Sequence, residues 1–432
     1  MKRLLTILIL FSISPGAFAQ QKTGDLKKLI NQSFSYFPAF KELGQSIEIE
    51  QQRVDLAKAA GLPSVAATGS YQYNHPVSKI SIPAGDQQLA FQIMPNHNYK
   101  TMVNGSYTLW DFGLVKAGVD RARTGLQLAK DNLDFNKNQM AFQVASIYYQ
   151  IAYLKSAIAI QDSVINFLAA NKRDTEVKFK NGDALKYDVL SIQSNIDQEN
   201  NRKIDLQNSL NRQYNLMEYS TGVSVSQDPA DFIFPTELIA GNVDEIIGLA
   251  KSNNPEYRLL SDKIASAEAD LKRALISGKP SLVLNAGTGY ANGYTPDINQ
   301  FRYAYTAGVT LNIPIYQGGR IKKQQLISQN ELARTRTAEQ TLNNTYRKDI
   351  QQALTDIASN RSSLLNAQAQ INEAKEAQKF AQSRFRNGTG TNLELTNAST
   401  NVQRAELTEL QYRYQLCVAN LELARISGLV YW

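Results

Sequence analysis

The chain has 432 residues, a formal net charge of +7 and a single cysteine, Cys417, so a disulfide framework is excluded. Its two histidines, His75 and His97, lie in one polar stretch with no cluster of carboxylates or thiols around them, which argues against a metal, a cofactor or an enzyme. The basic excess is spread along the chain and is not clustered with aromatics, so no nucleic-acid partner is expected.

Residues 1–19 read as a signal peptide. Met1-Lys2-Arg3 is basic, residues 4–13 are apolar, and Ala17-Phe18-Ala19 supplies a small-residue cleavage site before Gln20. No cysteine follows that site to take a lipid anchor, and no later stretch reaches the ~18 to 20 apolar residues of a membrane-spanning helix. The expectation is an exported protein without a helical anchor.

A helix is predicted over residues 26–60. After Pro63 the pattern changes to period two, with Val65, Ala67, Gly69, Tyr71 and Tyr73 on one face and Ala66, Thr68, Ser70, Gln72 and Asn74 on the other. Tyr99, Thr101, Val103, Gly105, Tyr107 and Leu109 form the partner strand, and residues 75–98 read as a long loop carrying Pro76, Pro83 and Pro95. From residue 115 to 178 there is no proline. Apolar residues recur there at Ile147, Ile151, Leu154, Ile158, Ile165 and Leu168, a heptad seam interrupted by Gln161. A helix over residues 113–179 would be roughly 100 Å long at ~1.5 Å per residue. It ends at Asn181-Gly182-Asp183, and a return helix follows with Val189, Ile192 and Ile196 in its seam. Residues 223–242 contain Asp228-Pro229 and Phe234-Pro235, lack periodicity and read as a connector.

The second half repeats this order. A helix over residues 243–277 is followed by strands marked by Leu282, Leu284, Ala286, Thr288 and Tyr290 and by Phe301, Tyr303, Tyr305, Ala307, Val309 and Leu311. Gly287-Thr288-Gly289 lacks the third glycine of a nucleotide loop. A second long helix shows Ile350, Leu354, Ile357, Leu364 and Ile371, interrupted by Arg361 and Gln368; its turn is Asn387-Gly388-Thr389-Gly390. The return seam is Leu407, Leu410, Tyr414, Cys417, Leu421 and Ala424, where Cys417 serves as a small apolar residue. One constant offset, 206, maps Gly113 onto Gly319, Lys178-Phe179-Lys180-Asn181-Gly182 onto Arg384-Phe385-Arg386-Asn387-Gly388, and Gly222 onto Gly428; another, 217, maps Pro38 onto Pro255 and Pro63 onto Pro280. The two expected repeats are therefore residues 20–242 (β-hairpin 64–112, helix hairpin 114–222, connector 223–242) and 243–432 (β-hairpin 281–316, helix hairpin 319–428).

Strands of ~10 residues with an apolar-aromatic face and a small-polar face suit a transmembrane barrel, and four strands cannot close one when the minimum is about eight. Lipid does not tolerate open strand edges, so copies must share a barrel. Two copies would give eight strands and three would give twelve. The fold class is mainly α with a β-barrel part, duplicated, with four barrel strands per protomer plus long antiparallel coiled-coil helices.

The order of helix, β-hairpin, very long helix, turn and return helix, written twice in an exported chain, resembles the outer membrane efflux protein family, the TolC-like channel-tunnels. The most specific part is Arg/Lys-Phe-x-x-Gly at Lys178 to Gly182 and Arg384 to Gly388, together with the strand-to-helix junction Leu311-Asn312-Ile313-Pro314-Ile315-Tyr316-Gln317-Gly318-Gly319 and its shorter counterpart Leu109-Trp110-Asp111-Phe112-Gly113. The resemblance implies that the fold is a duplicated channel-tunnel, a homotrimer with a 12-stranded barrel in outer membrane lipid and a helical tunnel in the periplasm. It also implies a periplasmic adaptor (membrane fusion) protein and an inner-membrane pump of RND or ABC type as partners; small molecules are the expected cargo.

By resemblance, the adaptor docks on the tips at Lys178, Phe179, Asn181, Gly182, Arg384, Phe385, Asn387 and Gly388. Asp188 and Glu394 match carboxylates that constrict the tunnel in some members, and Asn397 stands where a further Asp is often found. Both carboxylates also suit the positive end of a helix dipole, and Phe179 and Phe385 can also staple the hairpin ends. A type I protein-secretion duct of the same fold and a pore-less envelope coiled coil are the alternatives. The ending Gly428-Leu429-Val430-Tyr431-Trp432 follows a helix and is expected to pack rather than signal assembly.

Overall fold

The computed structural model describes residues 24–84, 87–223, 239 and 241–431. The expected signal peptide, most of the connector 223–242 and Trp432 lie outside them. The elements are α1 (Gly24–Tyr36), α2 (Pro38–Ala59), β1 (Ser64–Tyr73), β2 (Lys79–Ala84), β3 (Gln87–Gln92), β4 (His97–Trp110), α3 (Leu114–Lys180), α4 (Lys186–Thr221), α5 (Val243–Asn253), α6 (Pro255–Ile276), β5 (Ser281–Ala291), β6 (Arg302–Asn312), α7 (Arg320–Arg386) and α8 (Asn392–Ser427). Both ends of α7 and of α8 fall 206 positions after those of α3 and α4, so the duplication holds to the residue across 67- and 36-residue helices. Two compact units result. One combines the chain up to Gly44 with Asp131–Leu259 and the chain from Gln340; the other combines Gln45–Lys130 with Leu260–Glu339.

The single helices expected over residues 26–60 and 243–277 are each two. The breaks fall at Phe37 and Asn254, immediately before Pro38 and Pro255. A proline ring clashes with a helical preceding residue and removes one N–H, so the chain extends and restarts. Asn254 accordingly has φ −72° and ψ 126°. The second break is put to use. Asn254 Nδ2 donates to Ile426 O (2.7 Å), a carbonyl beyond the reach of the helical ladder at the end of α8, and to Arg425 O (3.3 Å), which also accepts from Gly428 N. A Cβ on Gly428, at φ +73°, would lie 2.5 Å from Asn253 C and Asn254 N, so only glycine lets these backbones meet.

In the first unit α3 is the spine of the main core. Its Met140, Val144, Ile147, Ile151 and Ala157 pack with Met217 of α4 and with Leu410, Cys417 and Leu421 of α8. The expected seam needs one correction. Ala157 and Val164 are the buried residues, while Ile158 and Ile165 are half-buried. A helix packed against two partners buries a stripe wider than the two positions per heptad of a paired coiled coil. α8 is covered on two sides, since its Leu423 and Ile426 join Ile246, Tyr346 and Ile350 of α5 and α7 in a second cluster. Burial, followed by its hydrogen bond to Glu256 (2.5 Å), pushes the Tyr346 hydroxyl pKa up, and burial likewise pushes up the Cys417 thiol, consistent with a packing role.

The second unit holds a four-stranded antiparallel sheet in the order β1-β4-β5-β6. Its pairing, with Tyr71 opposite Tyr99, Thr101 opposite Tyr290 and Tyr290 opposite Tyr303, gathers Tyr71, Tyr73, Tyr99, Val103, Tyr290, Tyr303 and Val309 on one face. The other face is polar. There Asn104 Nδ2 donates to Thr68 Oγ1 (3.0 Å) and Asn285 Nδ2 to Thr310 Oγ1 (3.2 Å). Residues 75–98, read as a loop, contain a second antiparallel pair, β2–β3, with Ile80 opposite Phe91 and Lys79 opposite Gln92. Pro83 does not prevent it, because a two-stranded ribbon has edge positions where no ladder N–H is required. Among the described residues no helix is long and apolar enough to cross a membrane.

Candidate functional site

The turns at the ends of α3 and α7 are the same cap built twice. Gly182 N donates to Phe179 O (3.1 Å) and Asp183 N to Lys178 O (2.8 Å); Gly388 N donates to Phe385 O (3.2 Å) and Thr389 N to Arg384 O (3.0 Å). This paired closure needs a left-handed residue, and Gly182 and Gly388 supply it at φ +84° and +75°. Asn181 and Asn387 precede the glycines, are exposed, and donate their backbone N–H groups to Val177 O and Ser383 O.

The side chains at the two turns differ. Phe179 is 43% exposed and Phe385 only 6%. The Lys178 ammonium lies 4.1 Å from the Phe385 ring centroid and donates to the Phe385 carbonyl, so it caps the aromatic face and adds a second donor, beside Gly388 N, to that carbonyl. Two turns deeper on α3, Asn171 Nδ2 donates to Asn392 Oδ1 (2.9 Å), a further link between the hairpins. Arg384 instead turns to its own hairpin, donating to Thr389 O (3.1 Å) and standing 3.6 Å from Glu394.

The acidic candidates sit in the first turns of the return helices. Asp188 Oδ2 accepts from Leu185 N (3.1 Å), one half of a capping box at the start of α4, and Leu185 has no polar side chain to make the other half. In the copy the opposite half of the box is made: the Thr391 hydroxyl accepts from Glu394 N (3.2 Å), and the Glu394 carboxylate is exposed beside Arg384. Asn397 is exposed and lines, with Gln370, Glu373, Glu394 and Asn401, a groove of about 640 Å³ between α7 and α8. The eight tip residues therefore gather at adjacent turns, while Asp188 belongs to one return helix and Glu394 and Asn397 to the other.

Sequence reading missed a buried polar node above the tips. Gln161 donates to the Glu199 backbone carbonyl (2.9 Å) and carboxylate (2.5 Å), Gln403 donates to Gln161 Oε1 (3.0 Å) and Glu199 Oε2 (2.9 Å), and Arg202 pairs with Glu199 (2.6 Å). Three helices, α3, α4 and α8, thus meet at one carboxylate whose lone pairs are used, which is what makes a buried charge tolerable. Gln161 was visible as the polar break in the α3 seam; its two partners are 38 and 242 residues away.

The model of the family described as outer membrane efflux protein matches residues 29–223 and 246–429. Among solved structures the chain is similar to a membrane protein from Pseudomonas aeruginosa (16% identity, 94% of each chain, TM-score 0.78). It is also similar to the outer membrane protein VceC from Vibrio cholerae (16% identity, 94% of this chain and 97% of that one, TM-score 0.76) and to the open state of the MtrE outer membrane channel from Neisseria gonorrhoeae (18%, 94% and 89%, 0.74). At these identities the likeness establishes the fold. No curated protein matches in a sequence search.

Proposed function

The chain belongs to the outer membrane efflux protein family, and from that premise we propose that it is the passive exit duct through which a tripartite exporter expels small molecules. Members of the family are trimeric outer membrane channels with a periplasmic tunnel; they work with adaptors and inner-membrane pumps and catalyse nothing. The observation that carries the reading is the four-stranded sheet whose order leaves β1 and β6 as free edges, with a tyrosine-rich face opposite a face of Thr, Asn and Gly. Strand edges cannot stay open in hydrocarbon. Three copies joined β1 to β6 close a twelve-stranded barrel, the tyrosine-rich face toward lipid and the polar face toward water.

Energy for export then comes from a pump, of RND or ABC type, reached through an adaptor. The adaptor docks on Lys178, Phe179, Asn181, Gly182, Arg384, Phe385, Asn387 and Gly388, where the two caps expose Phe179, Arg384 and both asparagines and Phe385 lies buried beneath Lys178. Asp188 and Glu394 constrict and charge the tunnel entrance, so cations pass in preference to anions, and the neutral amide of Asn397 leaves the constriction with fewer negative charges than a carboxylate there would give.

The test is accumulation of a fluorescent efflux substrate in cells from which the gene has been deleted. Restoring the chain should lower intracellular dye, and Gly182→Val/Gly388→Val, which disrupts both caps, should fail to restore while still reaching the outer membrane. Unchanged dye levels with release of a secreted protein would overturn small-molecule export and favour the protein-secretion duct.

A further inference from the structure

We propose that the β2–β3 hairpin is a clasp between protomers, its apolar face seated on the loop between β5 and β6 of the adjacent copy. The proposal rests on the trimeric barrel reading. β2–β3 is amphipathic: Ile80, Ile82, Phe91 and, through the ladder bond from Ile93 N to Ser78 O (3.2 Å), Ile93 share one face, with Lys79, Ser81 and Gln92 on the other. Ile80, Ile82 and Phe91 are each about half exposed. A two-stranded ribbon is marginal in water unless its apolar face is covered, and an amide belt at its root holds this one in place. Asn74 N donates to Asn96 O (2.8 Å), Asn96 Nδ2 to Asn74 O (3.1 Å), and Gln92 Nε2 to Asn96 Oδ1 (3.1 Å).

The sheet decides what lies beside that face. The end of β1 at Tyr73, the start of β4 at His97, the end of β5 at Ala291 and the start of β6 at Arg302 stand at one end of the antiparallel sheet. The chain's own β5–β6 loop reaches the β3 side of the hairpin root, where the Pro95 ring would lie 3.8 Å from a Cβ on Gly293, yet the apolar face stays uncovered. On the β2 side the neighbour is β1, a free edge. Closing a ring of identical copies pairs that edge with β6 of the next copy, a head-to-tail contact. The root of β2 then stands next to the partner's β5–β6 loop, which in each copy exposes Tyr294 and Phe301. Two uncovered apolar surfaces from different copies are thereby brought together at the one seam that the fold leaves open.

The test is cross-linking in outer membrane vesicles with the double variant Ile80→Cys/Tyr294→Cys in a Cys417→Ser background, oxidised with copper phenanthroline. The expected result is a covalent ladder up to the trimer on non-reducing gels. In a second variant, Ile80→Asn/Phe91→Asn, dissociation of the detergent-solubilised trimer on heating should quicken by about tenfold, because interface losses appear mainly in the off-rate. A trimer by native mass that gives only an intrachain product, a ladder already formed by Ile80→Cys alone, or no product would overturn the clasp and leave the channel reading standing. A native mass that is not trimeric would overturn both.

Discussion

Two copies of one plan, 206 residues apart, make the same helix cap and then diverge in what surrounds it. At the first turn Phe179 faces outward, while at the second Phe385 is closed over by Lys178 from the first copy. The other ends of the return helices differ in the same way. A Cβ on Gly222 would meet the ring of Tyr36, a side chain, whereas a Cβ on Gly428 would meet the backbone of Asn253 and Asn254. Local sequence sets the conformation at each pair of sites, and tertiary surroundings set what a change there costs.

The largest contrast is expected at the helix ends. Both glycines are left-handed, so each Ala substitution costs ~1 to 2 kcal/mol from backbone strain, but Gly428→Ala adds an overlap with backbone that cannot rotate away, for a total of about 3 to 5 kcal/mol. Chemical denaturation in detergent should therefore show Gly428→Ala to be clearly the more damaging; equal midpoints would break the distinction. Next come the tip aromatics. Phe385→Ala should cost about 3 kcal/mol, in the range for a buried ring, and Phe179→Ala less than ~0.5 kcal/mol, as for a surface site. Limited proteolysis at the turns would reveal the same order.

Gln403→Leu should cost roughly 1 to 3 kcal/mol, because Glu199 and Gln161 would each lose a buried donor. Hydrogen exchange should then quicken in α3 and α4 as well as α8, which a purely local effect would not produce. The smallest effect is a deliberate equality. Gly182→Ala and Gly388→Ala, each with nothing within 4 Å of the added Cβ, should cost the same ~1 kcal/mol.

What could be read from the chain follows the same division. The caps, the long helices and the strand faces are local and periodic, so Gly182, Gly388, the proline-free run in α3 and the alternation around Tyr71 announced them. The breaks at Phe37 and Asn254 were also written locally, in Pro38 and Pro255, but were read through because the apolar spacing continues on both sides. β2–β3 was hidden by Pro83 and by the short length of its strands. The ammonium of Lys178 over Phe385, and Glu199 receiving Gln161 and Gln403, join positions up to 207 residues apart, for which one sequence holds no periodic signal. Gate and docking roles depend on partners, and the roles proposed above rest on family resemblance.

The most direct measurement is the native mass and planar-bilayer conductance of the protein extracted from outer membranes. A trimer forming a cation-selective pore, with selectivity reduced by Asp188→Ala or Glu394→Ala, is the predicted result. A protein that is not trimeric and carries no current would contradict the channel and leave an envelope coiled coil in its place.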